Sequence, residues 1–245
     1  MPRIIPIITG AVVMTLALAN GARAQSFSVN AREDARIGGV GGALVIDTHG
    51  IEFRTEKVED ARDWPYAAIR VLRIDAPNRL TIETYDARGW IALKRGHKRV
   101  SYNVAGEGLP PTVVDFLLNR VARPMVTRVL PSALGRPDWI LHVRHERRGD
   151  DAAGTLELYA SGVAFRGAKP EDTRFWRFRD LASVLPLDPF RIEITAREAD
   201  DLEPFTFQLA EELPAAFRDA VWARVNSPIE HDRACCTTRI AGGVR

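Results

Sequence analysis

GALVIDTHGIEFR at residues 42–54 and GTLELYASGVAFR at residues 154–166 are one phrase written twice, 112 positions apart. Extending the comparison without a gap sets 42–84 beside 154–196, and thirteen of the forty-three pairs are identical, against about three expected from ordinary residue frequencies. The identities include Gly42/Gly154, Leu44/Leu156, Gly50/Gly162, Phe53/Phe165, Arg54/Arg166, Trp64/Trp176, Pro77/Pro189 and Ile82/Ile194. A fixed offset of this kind marks one folding unit present in two copies.

The offset extends backward to pair Phe27 with Trp139, so each copy opens with a strand. Past residue 84 the register changes because the first copy is longer around 89–96, which predicts an insertion at a hairpin tip. After it, Val100, Tyr102 and Val104 match Phe205, Phe207 and Leu209, with apolar residues at alternate positions as a half-buried strand requires. Each copy then ends in a predicted helix. Pro111 and Pro214 sit where a first-turn proline is tolerated, and Val113, Leu117 and Val121, like Phe217, Val221 and Val225, fall on one face. Gly50 and Gly162 are predicted hairpin turns. The stretch 124–137, with Pro124, Pro131, Gly135 and Pro137, reads as a linker.

The ends bound the compartment. Residues 4–19 are largely apolar, follow Arg3 and precede Gly21-Ala22-Arg23-Ala24, which is the pattern of a secretory signal peptide cleaved after Ala24. The apolar stretch is shorter than the about 20 residues a membrane span needs. A periplasmic or secreted protein is therefore expected. Its division is a signal peptide at 1–24, a first repeat at 25–123, a linker at 124–137, a second repeat at 138–228 and a loose tail at 229–245.

The full chain carries 34 Lys and Arg against 32 Asp and Glu, and losing Arg3 and Arg23 leaves it neutral. A neutral protein lacks the broad positive field that nucleic acid rewards, so no nucleic-acid partner is expected. Net charge gives a membrane surface no support either, although local patches remain open. The only cysteines are the adjacent Cys235 and Cys236, so neither core can be stapled by an internal disulfide.

Six or seven short strands followed by one helix, in about 95 residues, resembles the pleckstrin-homology-like superfamily, including its bacterial and GRAM-type branches. The phrase carrying the resemblance is Gly-x-Leu, a glycine turn, an aromatic residue, then Trp64-x-Tyr66 or Trp176-x-Phe178. It implies a mainly β (α+β) fold of two tandem barrels of six to seven antiparallel strands, each closed by its C-terminal helix. It also implies a ligand site on the loop before the Trp and the loop after the first strand. That nominates Lys57, Arg62, Arg147, Arg148, Lys169 and Arg174, with Trp64 and Trp176 beside them. The acids Glu59, Asp60, Glu171 and Asp172 lie between these cations, so a loop of exposed ion pairs, individually worth little, is the competing reading. For the two tryptophans, packing in the core competes with lining a pocket.

Other chemistry is sparse. His142 and His145 are three apart, a spacing that suits one metal on a helix but points to opposite faces on a strand. His231, Cys235 and Cys236 are weak candidates for a transition metal. Ser161 lacks a nucleophile elbow, and the glycine run 38–42 precedes a strand rather than a helix, so it cannot place phosphate on a helix N-terminus. No cofactor is expected. The expectation is a noncatalytic exported binding module that recognises a protein segment or an envelope component. The alternative is an envelope hydrolase or a metal-handling protein.

Overall fold

The computed structural model describes residues 25–35, 39–85, 98–198 and 201–225. The signal-peptide stretch, most of the longer hairpin and the tail with His231, Cys235 and Cys236 lie outside them.

The first half contains β1 (Phe27–Glu33), β2 (Gly41–Ile46), β3 (Gly50–Arg54), β4 (Arg62–Pro65), β5 (Ile69–Ala76), β6 (Arg79–Thr84), β7 (Lys98–Val104) and α1 (Pro111–Arg120). A short strand, β8 (Met125–Thr127), follows. The second half contains β9 (Trp139–Glu146), β10 (Ala152–Leu158), β11 (Gly162–Gly167), β12 (Arg174–Arg177), β13 (Leu181–Asp188), β14 (Arg191–Glu198), β15 (Asp201–Leu209) and α2 (Ala215–Val225).

The repeat read from the sequence returns as strand register. Leu44 faces Phe53 and Leu156 faces Phe165; Ile51 faces Trp64 and Val163 faces Trp176; Ile82 faces Val100 and Ile194 faces Phe205. Even the irregularities recur, at Ile69/Val71 in one half and Leu181/Ser183 in the other. The matched glycines close the predicted hairpins, where the Asp47 N–H donates to Gly50 O at 3.1 Å and the Tyr159 N–H to Gly162 O at 2.9 Å, and they also permit close packing. A Cβ on Gly50 or Gly162 would sit 2.2 Å from the carbonyl oxygen of Trp64 or Trp176 on the facing strand.

Two closed, helix-capped barrels do not form. The described strands make one open sheet of fifteen, in the order β13-β14-β15-β9-β10-β11-β12-β8-β5-β6-β7-β1-β2-β3-β4. Closure would require β4 to pair with β5 and β12 with β13, and neither pair is made. The reason is β8. It hydrogen-bonds in parallel to β5 and antiparallel to β12, so it occupies one edge that each closure would need and fuses the halves into one sheet. Its residues Met125, Val126 and Thr127 are all buried, inside the stretch expected to be a linker. The mainly β class holds, and α1 and α2 are the only α-helices among the described residues.

The two helices differ in setting. α1 buries Val113, Val114, Phe116, Leu117 and Leu118, more than one face of the helix, because it lies in the first core together with Tyr159, Ala164 and Phe175 of the second half. α2 buries only Phe217 and Val221 and packs on β13. At the end of α1 the last carbonyls have no partners within the helix, and the second half supplies them. Arg177 donates from Nη1 to the carbonyls of Leu118 at 2.8 Å and Val121 at 2.7 Å, and from Nη2 to that of Arg123 at 2.8 Å. Arg179 donates to the same Leu118 and Val121 oxygens, at 2.8 and 2.9 Å. Asp180 holds the Arg177 guanidinium bidentately, one contact being 2.9 Å. Two cations at a helix C-terminus also complement its dipole.

Removing one member of a buried, hydrogen-bonded ion pair typically costs about 3–5 kcal/mol because the other is stranded. Arg177→Met is therefore expected to lower the urea-unfolding free energy by about that amount, with both halves affected. A loss under about 1 kcal/mol would show that the junction does not hold the halves together.

Candidate functional site

The residues nominated from sequence separate into interior and exposed groups. Trp64 is buried, edge-on to Tyr102 with ring centres 5.9 Å apart. Trp176 packs on Phe205 at 5.0 Å and donates from Nε1 to Glu198 at 3.2 Å. Arg174 turns inward with it, giving two 3.1 Å bonds to the Glu198 carboxylate and lying over the Phe205 ring. Burial holds the Arg174 guanidinium below its ordinary range; Glu198 opposes this and Arg128 reinforces it. Burial likewise pushes the Glu198 carboxyl up, against Arg174.

Arg147 and Lys169 come together on neighbouring loops of the second half, each with an acid. Arg147 bonds Asp172 at 2.7 Å, and Lys169 lies 3.8 Å from Asp150. Arg148 is exposed beside them. Arg62, in the first half, donates to the backbone carbonyls of Glu59 at 3.1 Å and Ala61 at 3.4 Å. Lys57 is exposed and borders a wide groove of about 780 Å³ with Arg54, Thr55 and the backbone of Gly41 and Gly42.

His142 and His145 point to opposite faces of β9, His142 exposed and His145 buried among the rings of Phe165, Phe205 and Phe207 at 5.0–5.6 Å. Among the described residues no group of three His, Cys, Asp or Glu side chains is placed to hold a metal. No helix among them is long and apolar enough to cross a membrane.

The surface that stands out was not nominated from sequence. β13 is the end strand of the sheet, and no strand pairs with its outer edge among the described residues. It exposes Leu185 by 52% and Leu187 by 48%, and Phe190 in the following turn by 51%. Three large apolar side chains exposed within six residues on an end strand are unusual, since natural edges are blunted by charge or kept short. Their counterparts in the first half are Arg73, Asp75 and Asn78. There the matching strand β5 is not an edge, because β8 covers it. The Leu72 N–H donates to Pro124 O at 3.4 Å, and the Arg128 N–H donates to Ile74 O at 2.9 Å. The offset carries Leu72 and Ile74 to Val184 and Pro186, whose pairing to β14 repeats that of β5 to β6. Val184 therefore offers the equivalent N–H and Pro186 the equivalent carbonyl. The signal was present in the sequence, in the pairs of the repeat that differ rather than those that match.

No protein-family model matches this chain, and no curated protein does. Among solved structures it is similar to one titled "Structure of the Spt16D Pob3N heterodimer", at 10% identity over 76% of this chain and 97% of that one, with a TM-score of 0.26. A likeness that weak carries no argument about fold or function.

Burial, reinforced by the charges of Arg147 and Arg174, lowers the pKa of His145 from its ordinary 6.5 to about 4. A histidine that is neutral in the folded state but free to protonate when unfolded contributes its full stability above about pH 6.5. That contribution falls by up to about 1.4 kcal/mol per unit as the pH drops toward 4. Urea titrations of the native protein and of His145→Phe at steps between pH 7 and 4 should diverge in this window, the variant losing less. Parallel curves would place His145 in a solvated setting.

Proposed function

We propose that the protein is a noncatalytic exported binding module that recognises an extended segment of another protein by adding it as a parallel strand to the outer edge of β13. The observation that carries the reading is the contrast between two equivalent strands. β5 holds β8 along its edge, whereas β13 keeps the same register and two apolar side chains on its outward face with no strand beside it among the described residues. Strand addition draws affinity from main-chain hydrogen bonds and specificity from alternate side chains. The expected partner segment is short, with apolar side chains that meet Leu185 and Leu187. The signal-like residues 1–24 support an exported setting. The order of strands and then a helix in each half, which resembles pleckstrin-homology-like binding domains, supports a binding role.

The chain supplies its own probe. A labelled peptide copying residues 123–130, which include β8, should bind the mature protein and slow amide exchange at Val184. Its affinity should drop at least tenfold in the double variant Leu185→Asp/Leu187→Asp. Binding that ignores the double variant would overturn the reading. So would its appearance only after removal of 226–245, which would assign the edge to this chain's own C-terminal segment. Concentration-dependent dimerisation that protects Val184 would assign it to a second copy.

A further inference from the structure

The outward face of the first half bears a different feature at the place where the second half is apolar. Arg73 of β5, Thr81 of β6 and Ser101 of β7 stand opposite one another in a row across three strands. Arg79 and Arg99 lie two residues away on β6 and β7, and so on the same face of the sheet. Arg128 joins them because β8 runs parallel to β5 and ends beside Ile74. Together with Asp75 they line one cavity of about 270 Å³ that opens to solvent.

Arg73, Arg79, Arg99 and Arg128 line the cavity with a single carboxylate, Asp75. Arg99 is tied to Glu83 at 2.7 Å and Arg79 to Asp34 at 3.1 Å, both from the exposed rim. Arg73 lies between Asp75 and Glu198, 3.8 Å from each, at the outer limit of an ion pair. Glu198 is already engaged by Arg174 and Trp176. Arg128 has no ion-pair partner among the described residues, and its Nε is closed off from solvent without an acceptor. A buried guanidinium N–H without an acceptor carries a desolvation cost. The hydroxyls of Thr81 and Ser101 lie 2.9 Å apart. One bond between them uses one hydroxyl proton and leaves the other free to donate.

We propose that this cavity is a binding site for a phosphate ester, held by Arg73, Arg79, Arg99 and Arg128 with the free hydroxyl proton of the Thr81/Ser101 pair. Four guanidiniums face the cavity, and the acids that meet Arg79 and Arg99 lie outside its lining, so a multiply charged anion suits it. A phosphate monoester carries about two negative charges and three strong acceptor oxygens, and guanidinium forks match it bidentately. A carboxylate offers one charge and two oxygens and would leave forks unused. At about 30 Å³ per liquid water, the cavity has room for the phosphate and part of the group it esterifies. The site lies in the other half from the β13 edge and stands independently of it.

Calorimetry on the mature protein at low salt, with inorganic phosphate and glycerol 3-phosphate as probes, should give saturable binding that weakens as salt is added. Arg128→Gln and Arg73→Gln should each lower affinity at least tenfold. Arg79→Gln, at the exposed rim, should lower it less and provides a second variant should the others fail to fold. Arg218→Gln, at an exposed arginine of α2, should leave it unchanged. Flotation with phosphatidylglycerol vesicles separates the sources of the phosphate. Arg128-dependent flotation assigns the site to a lipid headgroup, and phosphate-ester binding without flotation assigns it to a soluble ligand. Absence of saturable binding, equal weakening by Arg218→Gln, or acetate binding as tightly as phosphate would each overturn the proposal.

Discussion

Arg177 completes a helix that belongs to the other half of the molecule. The carbonyls of Leu118, Val121 and Arg123 lie at and beyond the end of α1, where nothing within the helix can satisfy them, and Arg177 and Arg179 reach from the second half to do so. Because buried carbonyls without donors are costly, α1 is finished only when the two halves are assembled. The rest follows from that dependence. Tyr159, Ala164 and Phe175 enter the first core, α1 becomes interior, and β8 is positioned where it meets both β5 and β12. In the first copy the positions matching Arg177, Arg179 and Asp180 are Pro65, Ala67 and Ala68. They cannot do the same for α2, which stays peripheral.

The shared architecture of the halves was legible because it is local. Alternation sets which residues face inward on a strand, and a fixed offset carries that pattern, with its bulges, from one copy to the other. Whether two strand ends meet to close a barrel is decided by an edge-to-edge contact that no local pattern encodes. Here it was decided by three residues, Met125 to Thr127, inside a proline-rich stretch whose composition reads as a connection. Proline before that stretch does not exclude a strand. Pro124 precedes β8 and contributes through its carbonyl, the one backbone group it retains.

The candidate surfaces were harder to see for a related reason. Positions identical between the copies, such as Phe53/Phe165 and Trp64/Trp176, are identical because both cores need them, so a search guided by identity leads indoors. Of the nominated loop cations, Arg147 meets Asp172, one of the interleaved acids, and Lys169 meets Asp150, which is not one of them. The unmatched pairs Arg73/Leu185, Asp75/Leu187 and Thr81/Glu193 lie on the outward face. There Arg73 and Asp75 of the first copy stand where the second has Leu185 and Leu187, so a charged pair is matched by an apolar one. The neutrality of residues 25–245 averages over this difference and so conceals it.

Pro186 limits how far such an apolar edge can pair. A long end strand with Leu185 and Leu187 outward would template further strands without limit. Proline cannot donate to a ladder, so it is confined to edges, and at 186 it removes the N–H that would extend pairing past Val184. What remains outward on these two residues is the N–H and carbonyl of Val184 and the carbonyl of Pro186, the positions whose counterparts on β5, Leu72 and Ile74, bond the residues flanking β8. An edge that lacks this donor is mismatched to an indefinite stack of strands.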